Sequence, residues 1–372
     1  MAKMRCRMRL GEVPLHLYQV IAGFELLARR GVIELEIAWD TGRAAGKPRL
    51  PYNMLEVILD GEIRLLYDLN DGYDNLARDP DELYGPLLKH YDLCFKRSFS
   101  AKRNAALTHG GKIRPLGLNY WVTIPGSAAH RPAPLDPPKE KLKKLVRMLP
   151  ITSHYNGWYT IETFEDEPKP DAPPNILFMA RMWDVQGDPG WQLTEAKREE
   201  RHYINEQRAR TIRLCREAFG DRFHGGVAPT RFALERYPDL VIADRRAVTR
   251  RAYLERMKRS VICIATMGLH QSIGWKFAEY VAASKAIVTE TLHYEVPGIF
   301  GEGRNYLSFR TPEECVEAVD RLIRDDRLRL SLMRNNRNYY RRHVRPDRLV
   351  LNSLMAAIGA SRTEHGAAEG WM

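Results

Sequence analysis

The chain has 372 residues, long enough for two domains with cores of their own, and its 44% hydrophobic and 28% charged content excludes a disordered protein. No apolar run approaches the roughly 20 residues that a membrane-spanning helix needs, and the opening MAKMRCRMRLGEVP lacks the apolar core of a secretory signal. A formal charge of +11 favours acidic partners (nucleotides, anionic lipid surfaces, nucleic acid), while five scattered cysteines with no CxxC pair point to a reducing cytoplasm and away from a zinc site.

Residues 3–10 alternate strictly, Lys3, Arg5, Arg7 and Arg9 against Met4, Cys6, Met8 and Leu10, which predicts a half-buried strand. Pro14 opens a helix with Leu17, Val20, Ile21, Phe24 and Leu27 on one face, ending near Gly31. Alternation returns over 32–39, and strands over 55–59 and 63–69 flank Asp60-Gly61, a hairpin signal. Helices over 79–90 and 98–107 then interleave with strands over 91–95 and 112–116. That order predicts α/β layering, with the hairpin making this sheet less regular than a fully parallel one. Residues 125–139 hold five prolines and no periodicity, and read as a loop. The basic run that follows, KEKLKKLVR at 139–147, reads as a solvated helix face, with contact to an anionic membrane surface as the alternative.

A second break, EDEPKPDAPP at 165–174, is the domain boundary, because a fresh strand over 175–180 (NILFMA) starts another α/β set. It continues with a charged helix over 195–219, a short strand over 240–243 and a helix over 248–258. Later, Thr311-Pro-Glu-Glu314 is a capping box that opens a helix with Val316, Val319 and Ile323 on one face. Residues 327–340 and 348–358 are also predicted helical, the last twelve residues a frayed tail, and there is no internal repeat.

The organising stretch lies at 260–290, SVICIATMGLHQSIGWKFAEYVAASKAIVTE. It reads as strand (260–265), polar loop with Gly268 (266–273), helix (274–283) and strand (286–289). Such a βαβ unit favours a parallel sheet with a right-handed crossover. Its loop falls at the carboxyl end of a strand and faces a helix N-terminus, where bare N–H groups and the helix dipole attract anions. On spacing alone, a seat for a phosphate-bearing ligand and a purely structural unit stand level.

Several motifs fail. GRAAGKP at 42–48 is one residue short of a P-loop, with Pro48 where Ser or Thr would hold magnesium. GEGRNY at 301–306 lacks the third glycine of a dinucleotide fingerprint. Asp79 and Asp81 have the D-x-D spacing of metal-dependent sugar transferases but sit in a polar turn. No GxSxG or HExxH occurs, and the eleven histidines show no metal-ligand spacing. In the first half, YDLNDGYD at 67–74 follows a strand and offers Asp68, Asp71 and Asp74 as a base or as partners for hydroxyls, against ordinary local turn bonding. Lys96 and Arg97, ending another strand, suit an anionic acceptor or a plain surface. His16, after the first strand, joins Asp71 as a catalytic candidate.

The stretch at 260–290 resembles the retaining, family-4-like (group 1) glycosyltransferases of the GT-B fold, whose carboxyl-terminal domain carries a glycine-containing loop, a Glu-led helix, a small-residue turn and an apolar strand in this order. The likeness extends through 298–306, the Thr311 helix and 325–340, and more weakly to ILFMAR at 176–181, similar to a family strand ending in Gly-Arg. It thus covers the second half of the chain. The resemblance implies two Rossmann-like α/β domains facing across a cleft. Residues 1–170 would form the acceptor side and 171–345 the nucleotide-sugar domain, with a helix in 346–360 crossing back. It also implies a metal-independent transfer without cofactor, from a nucleotide-diphosphate sugar to a hydroxyl of a glycan, glycolipid or surface-polymer precursor. The expected location is cytoplasmic, with peripheral contact at the inner membrane face.

By the same resemblance, Glu279 is similar to the glutamate that holds the ribose hydroxyls. Gly274 with Gln271 and Ser272 is similar to the loop touching sugar and diphosphate, and Arg181 to the arginine that neutralises the diphosphate. Lys276 would add a second cation where the leaving group gathers charge. Gln271 stands where the family usually has glutamate, so the site carries one carboxylate fewer and the stereochemical outcome stays open. Ala180 replaces the glycine before Arg181, and no lysine occurs in 182–190. Structural readings stand beside these: a surface ion pair of Lys276 with Glu279, a helix cap for Arg181, and core positions for Trp275 and Phe277. Other readings of function are a sugar-nucleotide epimerase or hydrolase on the same fold, and a basic nucleic-acid-binding protein. The latter is disfavoured by the lack of a compact patch of interleaved aromatic and basic residues.

Overall fold

A computed structural model describes residues 3–40, 50–74, 79–134, 136–148, 159–187 and 193–369. The P-loop-like 42–48 lies outside the described residues. The alternating start becomes β1 (Met4–Leu10), with Cys6, Met8 and Leu10 buried and Arg5 and Arg7 exposed. After a single turn at Leu15–Leu17 comes α1 (Tyr18–Arg29), whose apolar face buries Val20, Ile21, Phe24 and Leu27. Then follow β2 (Ile33–Trp39), β3 (Met54–Leu59) and β4 (Ile63–Asp68). Asp60 and Gly61 join β3 to β4 with φ of 52° and 84°, the left-handed backbone that a tight hairpin turn demands.

Next come α2 (Pro80–Leu88), β5 (Leu93–Lys96), α3 (Ala101–Asn104), β6 (Ile113–Pro115), α4 (Pro138–Met148) and α5 (Ile161–Phe164). The helix expected over 98–107 shrinks to one turn in α3. The chain reverses through His109, at φ 62°, and Gly110 packs so tightly on the Asn104 carbonyl that a Cβ there would overlap it. The D-x-D pair is structural: Asp79 caps α2 through the Asp81 amide (2.9 Å), and Asp81 accepts from the Thr108 amide (2.6 Å) and hydroxyl (2.8 Å). These strands form one sheet in the order β2-β1-β3-β4-β5-β6, in which β3 alone runs against its neighbours.

The second sheet begins with β7 (Ile176–Ala180), followed by α6 (Glu195–Phe219), capped by the Thr194 hydroxyl, and β8 (Phe223–Val227). After α7 (Arg231–Arg236) and α8 (Arg250–Arg259) the organising stretch forms β9 (Ile262–Ala265), α9 (Trp275–Ala282) and β10 (Ala286–Glu290). The set ends with β11 (Tyr306–Phe309), α10 (Pro312–Arg324) and α11 (Asp326–Tyr339). The Thr311 hydroxyl caps α10 at the Glu314 amide (3.2 Å), while the Glu314 carboxylate returns to the Arg310 amide (2.7 Å) rather than to the cap itself. The order is β11-β10-β9-β7-β8, every pair parallel. The short strand expected over 240–243 is reduced to one parallel bridge, Val241 to Val227, beyond β8. Pro238–Leu240 folds instead as a turn, proline fixing its backbone. With that bridge counted as a third position, the order is the doubly wound 3-2-1-4-5-6, which reverses direction between β7 and β9.

Two compact units result, one of Met1–Thr163, Tyr294–Gly298 and Arg341–Met372, the other of Phe164–His293 and Ile299–Tyr340. The last helix, α12 (Pro346–Glu369), belongs to the first unit, where Leu349, Val350, Leu354 and Ala357 enter its core. It starts before the expected 348 and runs to Glu369, into the region expected to be a tail. Gly23 of α1 permits the approach, since a Cβ there would strike the Pro346 carbonyl and the Val350 side chain.

Candidate anion site at the strand ends

Where an open α/β sheet reverses its strand order, the loops after the two strands diverge and leave a crevice at their carboxyl ends. In the second unit that crevice is a cavity of about 200 Å³, bounded by the ends of β7 and β9 and by the start of α9. Three cations border it, Arg181, Arg208 and Lys276, and among the described residues no carboxylate does. Gly274 opens α9 with no side chain capping it, and a Cβ there would meet nothing within 4 Å. The space beside Gly274 is therefore open.

Arg208 reaches the site from the middle of α6 and is only 7% exposed. Its guanidinium donates to the Arg181 carbonyl (2.5 Å), the Met267 carbonyl (2.9 Å) and the Thr266 hydroxyl (2.9 Å), tying the ends of β7 and β9 together. Burial, with Arg181 adding repulsion against the pull of Glu290, brings its pKa down to about 10. Lys276 donates to the Met179 carbonyl and sits 5.3 Å from the Tyr253 ring centre. Burial above all, helped by Arg208 and Arg250 and opposed by Glu279, lowers its pKa to about 8. The Arg181 guanidinium lies 4.7 Å over the Trp183 ring, with Arg201 at 5.8 Å, and Asn205 holds the Trp183 backbone by two hydrogen bonds of 2.8 and 2.7 Å.

The other expected donor residues divide. Trp275 borders the cavity half-buried, whereas Phe277 is also core, edge-on to Phe300 and Tyr306. Gln271 is exposed and borders a different cavity of about 430 Å³, shared with Glu200, Glu290 and His293; it and His270 have φ near 60°. Ser272 is buried, and its carbonyl takes the Gly268 amide (2.9 Å). Glu279 does not border the anion cavity. It is 1% exposed, with both oxygens bonded to Arg250 (2.7 and 3.2 Å) and one also to the Tyr253 hydroxyl (2.8 Å). The surface pair of Lys276 with Glu279 is thereby replaced: the carboxylate turns to α8, and the amine to the end of β7.

Sequence reasoning passed over Arg208, Trp183 and Arg250. A signal for the first existed. Arg201, Ile204, Asn205, Arg208, Ile212 and Cys215 recur at helical spacing along α6, and all are buried. A polar residue on a core stripe needs a partner, and here the partners are strand-end carbonyls.

In the first unit the strand ends also gather charge. Arg97 donates to Asp71 (2.7 Å) and lies 3.1 Å from His16 Nδ1, so three expected residues meet. Burial and then Arg97 lower the His16 pKa to about 4, against the pull of Asp71 and a hydrogen bond involving Asn119. Asp74 is exposed in the same turn. Asp68 and Lys96 are a correction. Both are fully buried, paired at 2.7 Å, with the Tyr84 hydroxyl bonded to each (2.6 and 2.8 Å) and Asn70 on Asp68, so neither meets an acceptor. Among the described residues no cluster of His, Cys, Asp or Glu is placed to hold a metal ion, and no helix is long and apolar enough to cross a membrane.

Residues 198–352 match the sequence family described as glycosyl transferase-like. Among curated protein sequences, none matches the chain. Similar solved structures include HepE of Anabaena in complex with UDP and glucose, at 9% identity over 89% of each chain with a TM-score of 0.31. Sucrose-phosphate synthase of Thermosynechococcus elongatus shares 11% identity over 94% of this chain and 92% of its own, with a TM-score of 0.35. The carboxyl-terminal domain of the group 1 glycosyl transferase LpcC of Francisella tularensis shares 12% over 49% of this chain and 95% of its own, with a TM-score of 0.30.

Proposed function

We propose that this chain, whose residues 198–352 match the glycosyl transferase-like family, is a glycosyltransferase that takes a nucleotide-diphosphate sugar whose diphosphate lies in the cavity between β7, β9 and α9. One observation carries this reading: three cations share a cavity that no carboxylate borders among the described residues. Lys276 and Arg208 hold their charge there against burial, so a bound anion relieves a cost already present in the empty fold.

In this reading Arg181 and Lys276 face the diphosphate, and Arg208 is a positioning residue for the carbonyls around it. Glu279 acts through its partners, fixing Tyr253 and Arg250 behind the Lys276 amine. As the anomeric C–O bond breaks, its electron pair stays with the diphosphate. The fixed guanidinium, the ammonium and the start of α9 stabilise that charge without rearranging. The acceptor hydroxyl forms the new bond at the same carbon, and its proton passes to the departing diphosphate, whose oxygens carry the released negative charge. The acceptor is a hydroxyl of a glycan, glycolipid or surface-polymer precursor.

The test is calorimetric titration with uridine, guanosine and thymidine diphosphates. Binding of one of them, weakened by Arg181→Ala, is the expected result, and absence of binding by all three removes the proposal.

A further inference from the structure

Helix α4 turns only part of its charge outward. The sequence leads one to expect lysines outward, yet Lys144 is buried against Asp136 (2.9 Å), and the Lys141 amine turns back to the Pro134 carbonyl (2.7 Å). The residues left outward include Leu142 at 63% exposure, Leu145 at 53% and Val146 at 44%. Nine large hydrophobic side chains are exposed among the described residues, and these three fall within five positions of one helix. Scattered exposed apolar residues are normal, whereas an apolar stripe on one helix marks a face that meets something. Helical spacing puts Leu142 and Val146 one turn apart, with Leu145 beside them and the exposed Lys139 and Lys143 on the same side.

We propose that this face of α4 docks on an anionic lipid bilayer, lying in the interface with its leucines among the acyl chains. The choice of occupant rests on charge. Of its cations, Lys144 is neutralised by Asp136 and Lys143 pairs with the single acid Glu140 (2.5 Å), while Lys139 and Lys141 add positive charge beside the apolar face, in a chain of net charge +11. A helix that presents leucines flanked by lysine stems suits the boundary between headgroups and hydrocarbon, where the stems reach up to the phosphates. The docking itself does not depend on the anion cavity.

The experiment is co-sedimentation of the full-length protein with vesicles of phosphatidylglycerol and phosphatidylcholine, beside vesicles of phosphatidylcholine alone. Binding to the anionic vesicles is expected, falling as salt rises because surface charges are screened. Leu142→Asp with Leu145→Asp should cut the bound fraction at least tenfold. Lys139→Glu with Lys143→Glu should cut it less, and only on anionic vesicles. Thermal unfolding and nucleoside-diphosphate affinity of each variant should match the parent protein, separating loss of docking from loss of fold or donor site. A parent protein that stays in the supernatant overturns the proposal, as does a double aspartate variant that binds like the parent. A parent dimer that the aspartates convert to monomers would also overturn it, since a second copy would then cover the face.

Discussion

The two units gather charge at the ends of their strands in opposite ways. In the first, Asp68 closes on Lys96 and Asp71 on Arg97, so each cation there has a carboxylate within 2.7 Å. In the second, Arg181, Arg208 and Lys276 border one cavity with no carboxylate on its wall among the described residues. The first arrangement has cancelled its charges and works as structure. The second leaves a field that a ligand completes, and a site is better recognised by such an imbalance than by charge density alone.

The largest effect that could break this contrast comes from Lys96→Met. Removing one partner strands Asp68 in the core, and unfolding by denaturant should show a loss of about 3–5 kcal/mol. A change near zero would mean that the pair is no anchor. Lys276→Met should do the opposite. The free protein should hold or gain stability, while affinity for the nucleoside diphosphate falls about ten- to a hundredfold, the worth of about 1.5–3 kcal/mol for a hydrogen bond to a charged group.

A pH series sharpens the same point. The folded pKa of Lys276, about 8, lies below its ordinary 10.5, so between those values the unfolded chain binds the extra proton and stability rises with pH. Over the same rise the amine loses its charge, and diphosphate affinity should fall through about pH 8. Lys276→Met should abolish both trends, measured by thermal unfolding and by calorimetry. The smallest effect concerns His16. Arg97 can only donate, so His16 Nδ1 accepts and the ring hydrogen sits on Nε2, with no lone pair left for an acceptor proton. His16→Gln should therefore lower kcat/KM by less than about tenfold, and a loss of about a hundredfold or more would make the ring a base.

Much of this architecture was legible beforehand because periodicity reports which face of an element is buried. The bounds of α6 and the strand-loop-helix-strand order around α9 follow from apolar spacing and from capping residues such as Thr194. What stayed hidden depends on meetings across space. In β8 two glycines mask the strand pattern, and Gly225 is needed because a Cβ there would press on the Phe178 carbonyl. No spacing shows that Asp68 and Lys96, 28 residues apart, are buried together. Nor does it show that Glu279 binds Arg250 rather than Lys276, since both are within reach of α9. Arg181, Gly274 and Lys276 came from a likeness of motifs; for Arg208 the only signal was its place on the buried stripe of α6, which does not say what it bonds.

The account rests on an anion site in the second unit, and the most direct measurement is calorimetric titration of uridine diphosphate, with the guanosine and thymidine forms beside it, into the parent protein and the Lys276→Met variant at pH 7 and pH 9. The account predicts that one of them binds the parent protein more tightly at pH 7 than at pH 9, and that the variant binds it weakly and alike at both. Binding that ignores both the pH and the substitution would contradict it, as would no binding at all.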